Sequence, residues 1–155
     1  MGRAWTGRLR EVRRGLRAAA PFLLSHHLPG ERDRCHTVDV AGNELHLCAR
    51  CTGIYPGIAA ALIVVSNGIA VPLAAVAALP APALLEWLST GRGDRPGRND
   101  VRTLTGLALG LGYGFGLVRL LTDQNRFGVV AVGVAYATLA GVLLYGSGNR
   151  DADTN

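Results

Sequence analysis

The chain has 155 residues, of which 49% are apolar but only 6% aromatic, so Gly, Ala, Leu and Val carry a share that a soluble core would draw from larger side chains. One domain is expected at this length, over residues 1–155. All 16 basic residues are Arg and the net charge is +5, yet the arginines follow a membrane topology, which argues against nucleic acid as a partner.

Residues 1–24 predict a basic interfacial helix. Trp5, Leu9, Val12, Leu16 and Ala20 recur at helical spacing among arginines. Such a helix lies flat, with its apolar stripe in the acyl boundary and its arginines among anionic head groups. Pro21 ends it. His26 and His27 follow as interfacial residues, since adjacent histidines do not share a helical face.

Chemistry concentrates in the loop 31–51. All three cysteines lie here, with His36 beside Cys35 and His46 two residues before Cys48. Cys48-Ala-Arg-Cys51 has the spacing at which two thiolates grip one ion. Cys35 or His36 can return across a turn at Ala41-Gly42-Asn43. Cys35, His36, Cys48 and Cys51 are the expected metal ligands, for zinc or alternatively iron. His46 is the substitute imidazole. A competing expectation is a membrane thiol oxidoreductase using Cys48 and Cys51, because a helix N-terminus lowers a thiol pKa.

Charge is missing over three long stretches. No charged residue or histidine occurs in the 34 positions from Thr52 to Leu85, nor in Thr103–Val118 or Phe127–Asn149. A membrane helix needs about 20 residues, so these predict four spans at roughly 52–66, 69–89, 102–121 and 127–146. Ser66-Asn67-Gly68 supplies the turn inside the first stretch. The expected fold class is all-α, an integral membrane protein with four transmembrane helices at 52–146, the interfacial helix before them and a polar tail at 147–155.

Fourteen arginines fall on the side of the N-terminus, the cysteine loop, the 91–102 loop and the tail; only Arg119 and Arg126 fall on the other. Both termini are therefore expected in the cytoplasm, with the chain in the cell membrane. Glu86, flanked by leucines and Trp87, is a carboxylate at membrane depth that needs a partner, with Arg95, Arg102 or a metal as candidates. These three residues also define an enzyme alternative: Glu86 as acid/base on a phosphorylated lipid head group held by Arg95 and Arg102. Asn99 or Asp100 is expected to cap the third span. In that span Gly106, Gly110 and Gly114 recur every fourth residue, a small-residue face for close helix contact within the monomer or in a homodimer.

Cys35-His36 followed by Leu47-Cys48-Ala49-Arg50-Cys51-Thr52-Gly53-Ile54-Tyr55 resembles the signature of a prokaryotic membrane-protein family, domain of unknown function 2085. The resemblance runs over roughly residues 31–115, with Glu86-Trp87, Thr90, Arg95, Asn99, Arg102 and Thr105-Gly106 aligned to its looser downstream part. Glu86-Trp87 stands where the family has Asp-Gly, Thr90 where it has Gln, and Thr37-Val38-Asp39-Val40 where it has Pro-Glu-Arg-Ser. The resemblance implies a membrane topology and carries no activity.

Overall fold

A computed structural model describes residues 10–12, 14, 15, 25, 27, 29–40, 42–91, 97–122 and 125–152. Most of the expected interfacial helix, together with His26 and Arg95, lies outside the described residues.

The cysteine region is a β-hairpin rather than a plain loop. A 3-10 segment, Pro29–Arg34, leads into β1, Cys35–Val40, which pairs antiparallel with β2, Asn43–Cys48. The turn falls where Ala41-Gly42-Asn43 predicts it. Gly42 takes a positive φ of 77°, and its N–H donates to Asp39 Oδ1 at 2.9 Å. The all-α expectation is corrected to this extent: Thr37-Val38-Asp39-Val40 alternates polar and β-branched residues, which suits a strand at an interface.

Five helices follow: α1, Ala49–Ser66; α2, Leu73–Ala78; α3, Ala81–Gly91; α4, Asn99–Leu121; and α5, Arg126–Ala152. Four segments are long and apolar enough to cross a membrane, Ala49–Ser66, Leu73–Thr90, Asn99–Leu121 and Arg126–Tyr145, and the chain is a multi-pass membrane protein. The first span begins three residues earlier than charge spacing predicts, so Arg50 and Cys51 sit in its first turn. It ends at the expected turn, where the Asn67 N–H reaches Ile63 O at 3.2 Å and Gly68 has φ 78°.

The expected second helix is broken in two. Pro80 has no N–H to return to Val76, and its ring crowds that carbonyl, so the helix stops after Ala78 and restarts at Ala81. Tyr136 of α5 donates to Ala77 O at 2.6 Å beside the break. Arg119, on the far side from the hairpin, donates to Val71 O just before α2.

Helices α1 and α4 form the seam of the bundle. A Cβ on Gly106 would strike the Arg50 carbonyl, one on Gly110 the Ile54 carbonyl, and one on Gly114 would lie 2.6 Å from Ala61 Cβ. Gly53 and Gly57 on α1 meet the α4 backbone equally closely. The small-residue face is thus used within the monomer, where it lets two backbones touch. Ala61, Val76 and Phe115 make the buried centre beside that seam.

Candidate functional site at the hairpin end

The register puts Cys35 opposite Cys48, at the end of the hairpin where β2 runs directly into α1. Both are buried, and Cys51 follows within the first turn of α1, half-buried. Three thiols from two strands and a helix therefore lie in the same region at the hairpin end, and all three are free. Burial pushes the Cys35 thiol above its ordinary pKa, and the neighbouring Cys48 adds to the rise.

His36 does not join them. Side chains alternate across a strand, so His36 points to the opposite face from Cys35. Its Nε2 lies 2.8 Å from Thr103 Oγ1, which is also 2.9 Å from Ala49 O and 3.0 Å from Asn99 O. The hydroxyl has one proton and two carbonyls to receive it, so His36 Nε2 is the donor in this contact. His46 sits opposite Thr37 on the face that carries Cys35 and Cys48, with Nδ1 3.0 Å from Thr37 Oγ1. Among the described residues, no three His, Cys, Asp or Glu side chains are arranged to hold a metal ion. Of the expected set Cys35, His36, Cys48 and Cys51, the three thiols lie at the hairpin end and the imidazole contacts Thr103.

Glu86 is 7% exposed and ion-paired on both sides. Arg102 Nε stands 3.5 Å from Oε1, and Arg50 Nη2 contacts Oε2. Thr90 Oγ1 is 3.3 Å from Oε1. Arg102, itself 8% exposed, is the partner expected from sequence. Arg50 is the one missed, because it reads as the filler of a C-x-x-C pair; its place in the first turn of α1 aims it across at α3. A buried carboxylate between two guanidiniums is stable only while those partners stay.

Asn99 takes a role other than the expected cap. It does not cap α4: the capping position is Arg98, and no side chain caps there. Its Nδ2 instead donates to Asp33 O at 2.9 Å and to Cys35 O at 3.0 Å, while its Oδ1 accepts from Arg102 Nη1 at 3.1 Å. One amide therefore ties the hairpin to the ion cluster. Gly97 passes over that cluster, where a Cβ would lie 2.6 Å from Arg102 Nη2 and 2.8 Å from Thr90 Cγ2. Asp100, the other expected cap, is exposed and 3.6 Å from Arg98.

A cavity of about 290 Å³ opens between the thiols and the ion cluster, lined by His27, Cys48, Cys51, Arg34, Arg50 and Arg102 among others. The site as a whole can offer soft sulfur donors and fixed positive charge side by side. No curated protein and no solved structure matches the chain. A family described as predicted membrane protein, DUF2085, matches residues 31–115, which is more than half of the chain and takes in the hairpin, all three cysteines and the Arg50–Glu86–Arg102 cluster. The chain belongs to that family.

Proposed function

We propose that this protein is a membrane module whose thiol cluster, Cys35, Cys48 and Cys51, takes one soft metal ion, zinc or iron, that pins the hairpin to the bundle. The observation that supports this is that all three cysteines sit at the junction of β1, β2 and α1. Thiolates bind zinc at about 2.3 Å, so the sulfurs would have to close on the ion by side-chain rotation. Three sulfurs leave one of four tetrahedral positions, and His46, on the same hairpin face, is the donor for it. His36 is less suited, since Thr103 engages its Nε2.

Metal analysis of protein purified under reducing conditions without chelator tests this, with about one ion per chain expected. Cys48→Ser or Cys51→Ser should strip the metal and leave the hairpin protease-sensitive while the helices stay inserted. His46→Ala should weaken retention more than His36→Ala. Far less than one ion in the wild type would sink the metal reading and favour a thiol oxidoreductase working through Cys48 and Cys51. The enzyme reading on a phosphorylated head group has less support, because both Glu86 carboxylate oxygens already have arginine partners.

The arginine asymmetry supports an orientation with both termini in the cytoplasm of the cell membrane. Reporter fusions at Asn155 and within Asn67-Gly68 should show opposite sidedness, the first cytoplasmic. An external Asn155 would reverse the orientation, and equal sidedness would remove the four-span topology.

A further inference from the structure

A second cavity lies against the first. It measures about 620 Å³, sits between α3, α4 and α5, and has an almost wholly apolar lining that includes Leu84, Leu109, Leu117, Val132 and Tyr136. Arg50 and Trp87 line both cavities. An apolar chamber at membrane depth therefore adjoins, at its hairpin end, a polar chamber lined by three arginines. Both volumes fall near the range of about 300–1,000 Å³ seen for small-molecule sites.

Among the described residues the charges there are not balanced: Glu86 is the one carboxylate that pairs with Arg50 and Arg102, and the Arg34–Glu31 pair is exposed and 3.7 Å apart. Arg50 Nε is buried with no hydrogen-bond partner among the described residues. A buried donor without a partner on a half-buried arginine is costly, and an anion relieves it.

We propose that the paired cavities bind one anionic phospholipid from the leaflet on the hairpin side, with an acyl chain in the apolar chamber and the phosphate against Arg50 and its neighbours. Any lipid can fill the apolar part, but a head group of net negative charge answers the guanidiniums best, since a zwitterionic one brings its own cation beside the phosphate. The inference rests on the arginines rather than the thiols, so it stands or falls separately from the metal reading.

Trp87 reports on both chambers, and Trp5→Phe makes it the only tryptophan. In vesicles, lipids brominated on the acyl chain should quench Trp87 with roughly tenfold preference for phosphatidic acid over phosphatidylcholine carrying the same chains. The Arg50→Gln variant, which leaves Glu86 paired with Arg102, should lose that preference. Gly133→Phe provides a second variant that leaves every arginine in place. Gly133 lines the apolar chamber with nothing within 4 Å of a built Cβ, so the ring should block the chain and lower quenching by both lipids. Equal quenching by the two lipids overturns the proposal. So does a preference that survives both variants. Inorganic phosphate that displaces phosphatidic acid completely would assign the site to free phosphate. Quenching that follows protein concentration but not head group would assign the cleft to a second copy of the chain; either result overturns the lipid assignment.

Discussion

The α1–α4 seam and the α5 helix use the same amino acid to opposite ends. On the seam, glycine removes the Cβ that would separate two backbones, at Gly53 and Gly57 on one side and Gly106, Gly110 and Gly114 on the other. On α5, Gly133 and Gly141 meet nothing within 4 Å, and no residue of the Arg126–Tyr145 span is buried. The family match covers the seam and ends before α5 begins. Apolar character is enough to hold α5 in a bilayer, since lipid satisfies an apolar face as well as protein does. Close approach of two backbones needs steric permission residue by residue. The seam also aligns the first turns of α1 and α4, and so brings Arg50 beside Arg102 and Ala49 beside Thr103.

That contrast can be broken most severely at the ion cluster that the seam brings together. Glu86→Gln leaves Arg50 and Arg102 facing each other, and removing one member of a buried pair costs about 3–5 kcal/mol. We expect a large loss of folded yield in detergent. Combining Glu86→Gln with Arg102→Gln should recover part of it, and additive losses would show that the three groups do not act as a unit.

A smaller effect should separate the seam from α5 directly. Gly110→Ala drives a methyl into the Ile54 carbonyl and should destabilise by about 1–3 kcal/mol or more, read as a fall in thermal midpoint in detergent. The smallest expected effect has the opposite sign. Gly141→Ala on α5 meets open space, so the change should be neutral or stabilising by about 0.5–1 kcal/mol through backbone entropy alone. If the two alanine variants behave alike, the glycines of the seam are not what sets its spacing.

The residues themselves determine the membrane class and most of its segmentation. Charge-free stretches, the Asn67-Gly68 turn and the Gly42 turn are local features, and a charge in hydrocarbon or a side chain at positive φ carries its cost whatever the neighbours do. The nearness of Cys48 and Cys51 is equally local, since only Ala49 and Arg50 separate them. Other features depend on what lies across the fold. Strand alternation inside the hairpin, not proximity in sequence, sends His36 to Thr103 and away from Cys35. Pro80 breaks the second span because its ring meets a carbonyl one turn back, which charge spacing does not sense. Asn99 reads as a helix cap until the strand carbonyls of Asp33 and Cys35 come within its reach. Arg50 and Glu86 are 36 positions apart. Only the glycine-permitted contact of α1 with α4, and of α3 beside them, turns two isolated charges into a buried cluster.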